Sequence, residues 1–176
     1  KSIDEALNWF RLPLSILSGI SKKNLLVLAV RNEFDLLNRV KLINTSSTDL
    51  VLSLHLNGDI SGSITSQNAV CGYTNSRSIA HYPLFQQILS QLSTKLALPL
   101  LRESEFETPL EGLFIVPHLK LMKFSDKPIL LIEGPYQNNP SEAELLSMAL
   151  TEFQKTGKVA GRLKQCVQGV IQGLNS

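Results

Sequence analysis

Two ionisable residues each stand at the end of an apolar run of strand length in this 176-residue sequence. His55 closes DLVLSLHL (49–56), and Glu133 follows ILLI within KPILLIEG (127–134). A carboxylate at the end of a buried strand loses hydration, which raises its pKa towards neutrality and suits a general base. A neutral histidine ring can bind zinc. The pair therefore predicts an acid–base or metal-dependent site, provided that the two strand ends meet.

Each of these residues also has a structural interpretation. A single strand-end histidine such as His55 is more often a hydrogen-bonded structural residue than a metal ligand. Glu133 alone is equally well explained as a loop carboxylate that accepts backbone N–H groups. We interpret His81 as a packing or surface residue, and His118, after the strand GLFIVP, as a weaker candidate on the same rim as the site. The acidic residues further along are typical of a solvated loop: Glu103, Glu105 and Glu107.

Apolar segments alternate with helical ones along the chain. Strands are predicted at 24–31, 49–56, 68–74, 112–117 and 127–134, and LRESEFETPLE (101–111) is predicted to be a loop. Helical spacing covers 33–44 and 76–97, the latter interrupted or restarted at Pro83, and a long last helix is predicted from about Thr151 to Leu174. The pattern predicts an α/β fold, with a mainly parallel twisted sheet and helices on both faces. Ligands of such sheets bind at the carboxyl ends of strands.

The first segment, SIDEALNWFRLPLSILSGI (2–20), has an apolar stripe at helical spacing. Its members are Ile3, Leu7, Phe10, Leu14 and Leu17, and Pro13 should kink or interrupt the helix. The chain starts at Lys1 with neither methionine nor a signal peptide, so we expect a processed chain with a segment missing upstream.

Composition narrows the class of protein. Of the residues 43% are hydrophobic and 18% charged, with a net charge of +2, which is typical of one globular domain (1–176) and argues against nucleic acid as a partner. No apolar run approaches the ~20 residues of a transmembrane helix. Serine-nucleophile and phosphate-binding motifs are missing, and Trp9, Tyr73 and Tyr136 are isolated aromatic residues in the sequence. Cys71 and Cys166 could form one disulfide or be two buried thiols, and spacing does not decide.

Two stretches resemble the zinc-dependent N-acetylmuramoyl-L-alanine amidases of the amidase-3 type. FDLLNRVKLINTSSTDLVLSLHLNG is similar to the family's L-x-x-R-x-x-x-A-N helix and its strand ADLFISIHAN, with matches at Arg39, Asn44 and His55 among others. KPILLIEGPYQNNPSEAELL is similar to PAVLVELGFLSNPEDEALL and aligns Glu133, Asn139 and further residues. The likeness covers most of the chain in the correct order.

The resemblance implies a periplasmic or extracellular hydrolase that cleaves the amide between N-acetylmuramic acid and L-alanine in peptidoglycan. It implies zinc (Zn2+) as cofactor, His55 as a zinc ligand and Glu133 as the catalytic acid/base. Glu5 fits a second zinc ligand. The family's first zinc-ligand histidine, in a D-P-G-H-G-G-like turn, has no counterpart here, so we expect the domain to lack its first strand.

Two other interpretations remain open from the sequence. An inactive amidase-like domain would bind cell-wall fragments or a regulatory partner, and a related α/β zinc hydrolase would cleave a different amide. The retained His55 and Glu133 favour the active enzyme. A protein activator is not identifiable from these residues.

Overall fold

The computed structural model describes residues 36–58, 63–102 and 106–176. The strand predicted at 24–31, the apolar segment 2–20 and the candidate ligand Glu5 lie outside these ranges. The helices, strands and one 3-10 helix are, in chain order, α1 Leu36–Thr45, β1 Val51–Asn57, β2 Cys71–Thr74, the 3-10 helix Ser76–His81, α2 Tyr82–Leu96, β3 Glu107–Leu110, β4 Leu113–Ile115, α3 Lys120–Phe124, β5 Ile129–Tyr136, α4 Pro140–Thr156 and α5 Gly161–Asn175.

The five described strands form one sheet in the order β1–β5–β2–β4–β3. β1 pairs with β5 and β2 pairs with β4 in parallel, whereas β2 runs antiparallel to β5 and β3 antiparallel to β4. The predicted α/β class is confirmed. Within the described residues the sheet contains both parallel and antiparallel pairs. The apolar runs in the sequence mark buried strands but do not encode their direction.

β5, which lies between β1 and β2 in the sheet, separates two apolar layers of the core. Leu130 and Ile132 belong to the layer that includes α2 and α5, and Ile129 and Leu131 pack with Met122 of α3 on the other face. Burying each such side chain contributes about 1.5–3 kcal/mol. Glu133 is the one residue of β5 that is only half-buried.

α2 and α5 touch through their backbones. A Cβ atom at Gly169 would lie 2.7 Å from Cα of Leu92, and one at Gly173 would collide with the backbone of Ile88. The two glycines therefore permit the close crossing that holds α5 against the sheet.

Two predictions about elements are wrong. The single helix predicted from Thr151 to Leu174 is two helices, because Gly157 adopts a left-handed conformation with φ of 69° and its N–H bonds the carbonyl of Phe153. The segment predicted to be a loop contains β3, a short strand at the end of the strand order that includes Glu107.

Other elements agree with the patterns. Strands were predicted at the positions of β1, β2, β4 and β5, and a helix at that of α1. Pro83 lies in the first turn of α2, directly after the 3-10 helix, where a missing N–H is tolerated.

Candidate active site at the ends of β1 and β5

The parallel pairing of β1 with β5 places His55 directly beside Glu133. Nδ1 of His55 lies 3.9 Å from Oε1 of Glu133, and the side chains are 47% and 17% exposed, respectively. Both follow the apolar parts of their strands, so the fold brings them together at one edge of the sheet. The predicted meeting of the two strand ends is confirmed.

Burial controls the charge of this pair. It raises the pKa of Glu133 from 4.5 to about 7. It also lowers the pKa of His55, with a further contribution from the positive charge of Arg39. A dominant ion pair would lower the pKa of Glu133 and raise that of His55. Both pKa values move the other way, so desolvation outweighs the attraction between the two side chains here. Near neutral pH, Glu133 can therefore both accept and release a proton, while the His55 ring is neutral.

Hydrogen bonds fix the surroundings of the pair. Oγ of Ser53 lies 3.0 Å from Nε2 of His55, and Nδ2 of Asn57 donates to Sγ of Cys71 at 4.0 Å. Ser53 and Asn57 are both residues of the first matched motif, so its polar positions converge on the candidate site.

β2 contributes two residues that the sequence did not indicate. Cys71 stands opposite Glu133 and Tyr73 opposite Leu131 in the antiparallel pair. Burial raises the pKa of Cys71 to about 12; the charge of Glu133 adds to the rise and a hydrogen bond with Tyr73 opposes it. Burial, then the nearby Cys71 and Glu133, raise the pKa of Tyr73. Both groups stay protonated, so Cys71 is not a thiolate nucleophile.

The other two histidines lie apart from this pair. His118 follows β4, which runs antiparallel to β5, so it lies at the rim opposite Glu133 and its predicted position was wrong. The ring of His81 stacks on that of Phe85, with the ring centroids 6.1 Å apart, which agrees with a packing role. Cys71 and Cys166 are both free.

The matched residues that follow Glu133 start helix α4 rather than extend the candidate site. Oδ1 of Asn139 accepts from the N–H groups of Ser141 and Glu142 at 3.1 and 3.3 Å, which caps α4. Pro140 occupies the first turn. This part of the second motif therefore encodes a helix start that fixes the loop behind Glu133.

The donor set fits a zinc site only in part. A neutral His55 ring and a nearby carboxylate are donors that zinc accepts, but a catalytic zinc takes three protein ligands. Among the described residues no group of three or more His, Cys, Asp or Glu side chains could hold a metal ion. A zinc site built on His55 would need ligands from outside the described ranges, where Glu5 lies.

Residues 12–162 match the family model of N-acetylmuramoyl-L-alanine amidase. No curated protein matches the chain significantly by sequence. Among solved structures, the chain resembles the N-acetylmuramoyl-L-alanine amidase of Clostridium difficile 630 with 18% identity and a TM-score of 0.62, over 94% of this chain and 79% of that one.

Two further structures show the same fold. One is the catalytic domain of CwlV from Bacillus (Paenibacillus) polymyxa var. colistinus, with 18% identity, a TM-score of 0.62, and 95% of this chain and 79% of that one covered. The other is CwlD from Clostridioides difficile in complex with the GerS lipoprotein, with 16% identity, a TM-score of 0.61, and 98% and 83% covered.

The fold thus places a histidine and a glutamate side by side at the ends of two parallel strands of a mixed sheet. The chain belongs to the N-acetylmuramoyl-L-alanine amidase family of the amidase-3 type. In the part of the chain that is described, no helix has both the length and the apolar character needed to span a bilayer.

Proposed function

We propose that this domain hydrolyses the amide between the lactyl group of N-acetylmuramic acid and the L-alanine of the stem peptide in peptidoglycan. The observation that carries the proposal is the contact of His55 with a Glu133 whose pKa is about 7, in a chain of the amidase family. Such a substrate implies a periplasmic or extracellular location.

Glu133 acts as the acid/base in this reaction. It takes a proton from the attacking water, whose oxygen bonds to the acyl carbon, and returns the proton to the leaving nitrogen as the C–N bond breaks. A pKa near the working pH allows both transfers, because neither protonation state is strongly favoured. The products are a lactyl carboxylate on the sugar and a free amine on L-alanine.

His55 and Glu5 are the residues that would hold zinc. Zinc supplies Lewis-acid activation of the carbonyl and of the attacking water when it is bound. Burial and Arg39 keep the ring of His55 neutral, which is the state that coordinates a metal. Ser53 bonds the ring through Nε2 and limits its rotation.

Digestion of purified peptidoglycan tests the reaction. We expect release of intact stem peptides with a free amino terminus on L-alanine, detected by mass spectrometry, while the glycan strands stay uncut. Cleavage inside the stem peptide instead would identify a different amide hydrolase. Co-sedimentation with peptidoglycan and no released peptide would identify an inactive binding domain, and either result contradicts the proposal.

Zinc binding should depend on His55. We expect His55→Ala to weaken zinc binding by more than about 100-fold, because losing even a group that only orients a ligand costs about 10–100-fold. Competition with a chromophoric chelator measures the affinity. His118→Ala, at the opposite rim, is the matched control and should bind zinc like the wild type. Equal affinities in all three proteins would exclude His55 as a ligand.

A further inference from the structure

The face of the sheet that carries His55 and Glu133 extends onto β2. His55 is paired with Glu133, and Cys71 stands opposite Glu133 on the other side. The three side chains therefore lie in a row across neighbouring strands, which are about 4.7–4.9 Å apart. Tyr73 is two residues further along β2, and side chains two residues apart point to the same face of a strand. Tyr73 therefore shares the face of the acid/base Glu133.

Aromatic neighbours hold the ring of Tyr73. Its centroid lies 6.0 Å from that of Phe114, with the rings tilted by 40°, and 6.3 Å from that of Phe106 in an edge-to-face arrangement. Phe114 belongs to β4, the strand next to β2 on the side away from β5. The side chain of Tyr73 is nevertheless only partly buried. Packing thus fixes the ring from one side, and a hydrogen bond fixes its hydroxyl.

The hydroxyl of Tyr73 donates to the thiol of Cys71. Burial has the largest effect on the pKa of both groups, and the hydrogen bond between them raises the pKa of the phenol while lowering that of the thiol. These signs identify the phenol O–H as the donor and Sγ as the acceptor. Because Cys71 is level with Glu133 in the strand pairing, the bond brings the hydroxyl end of Tyr73 to the level of the acid/base.

This donor can be redirected to a stronger acceptor. Thiol sulfur accepts hydrogen bonds only weakly, and Sγ of Cys71 is also approached by Nδ2 of Asn57 at 4.0 Å. Hydrogen bonds to a charged oxygen are roughly twice as strong as those between neutral groups. An oxygen that becomes negative beside Glu133 would therefore take the O–H of Tyr73 from the sulfur.

We propose that Tyr73 is a further catalytic residue, whose O–H donates to the oxygen of the scissile carbonyl as that oxygen becomes negative. The inference rests on the proposed function. When water adds to the acyl carbon, the π electrons of the C=O bond move to the oxygen, and they return when the C–N bond breaks. Tyr73 donates a hydrogen bond throughout and loses no proton, since a phenol has an ordinary pKa of about 10. Such a donor stabilises the transition state more than the bound substrate.

Tyr73→Phe in the zinc-loaded full chain tests the proposal, with a soluble N-acetylmuramyl peptide as substrate. We expect kcat to fall by about 10²–10³-fold, the usual cost of losing one oxyanion donor. KM and zinc affinity should stay at the wild-type values, which a merely structural role would not combine with so large a loss. Tyr82→Phe is the matched control. It removes a hydroxyl that donates to the carbonyl of Asn75 at 3.0 Å, beyond the other end of β2, and should keep both kinetic constants.

Every other outcome overturns the inference. A wild-type kcat in Tyr73→Phe, or a raised KM alone, removes the phenol from the chemical step. An equal fall in Tyr82→Phe shows that loss of any buried hydroxyl has this effect. If urea titration shows that Tyr73→Phe is partly unfolded in the assay, kcat is divided by the folded fraction and the same criteria decide. A wild type that releases no stem peptide overturns the proposed function together with this inference, whereas an active wild type with an unimpaired Tyr73→Phe overturns this inference alone.

Discussion

Glu133→Gln is expected to lower the rate of stem-peptide release by about 10²–10⁴-fold, the usual contribution of a general acid/base. The amide keeps the size of the carboxyl group and cannot take a proton from water. Zinc affinity should stay unchanged, since Glu133 is not one of the proposed ligands. Glu144→Gln makes the same change at an exposed position of α4 and should leave the rate at the wild-type value. Wild-type activity in Glu133→Gln would remove the residue from the mechanism.

The free energy of unfolding distinguishes loss of the acid/base group in Glu133→Gln from damage to the fold. The pKa of Glu133 is about 7 in the folded chain against an ordinary 4.5, so folding favours the neutral carboxyl. That stabilisation is complete below pH about 4.5 and is lost as the pH rises through about 7. Glutamine stays neutral throughout. In chelator-treated protein, urea titration should show Glu133→Gln at least as stable as the wild type at about pH 8, with the difference vanishing near pH 4.5.

Glu142→Gln is expected to lower the free energy of unfolding by about 3–5 kcal/mol, because it leaves Arg162 as an uncompensated buried charge. Nε of Arg162 donates to Oε2 of Glu142 at 2.6 Å and Nη2 donates to Oε1. The side chains are only 8% and 4% exposed. A further bond from Nη1 of Arg162 to the carbonyl of Leu96 ties α5 to the end of α2. The loss is large beside a total stability of about 5–15 kcal/mol.

An exposed pair in the same chain is the control for this prediction. Nε of Arg102 lies 2.9 Å from Oε1 of Glu111, with side chains 82% and 51% exposed. Glu111→Gln makes the identical chemical change and should cost at most about 1 kcal/mol. Urea titration measures both variants. Equal losses would show that burial of the Glu142 pair does not determine its contribution.

The buried pair also connects to the loop before β2. Nδ2 of Asn68 donates to Oε1 of Glu142 at 2.9 Å, and Oδ1 of Asn68 accepts from the N–H of Tyr136 at 3.4 Å. Glu142 therefore joins α4 and α5 to the end of the strand that carries Glu133. Glu142 belongs to the second motif matched in the sequence. In the structure its side chain has a packing role, because it joins these elements.

The two strand ends of the site were predictable because each is an apolar run closed by one ionisable residue. The neighbours of Glu133 were not. Cys71 reaches the site through the antiparallel pairing of β2 with β5, and a short apolar run carries no information about direction. For the same reason the predicted position of His118 was wrong: β4, the strand before it, runs parallel to β2 and therefore antiparallel to β5.

The errors in the fold have similarly local causes. β3 has only four residues, two of them exposed, so its alternation is too short to distinguish from a polar loop. Between α4 and α5 the apolar spacing continues, and a single glycine, Gly157, ends the first helix. Glu5 depends on the family resemblance and lies outside the described residues, so it stays a prediction.

The strand order has a consequence for how the protein is made. β1 and β5 are neighbours in the sheet, but β2, β3 and β4, two α-helices and the 3-10 helix separate them along the chain. Contacts between distant parts of a chain close late in folding, because loop-closure entropy must be overcome first. Until β5 has been synthesised and has paired with β1, His55 and Glu133 are not neighbours. A nascent or partly folded chain therefore has no assembled pair, and competence for hydrolysis would arise only with the finished sheet.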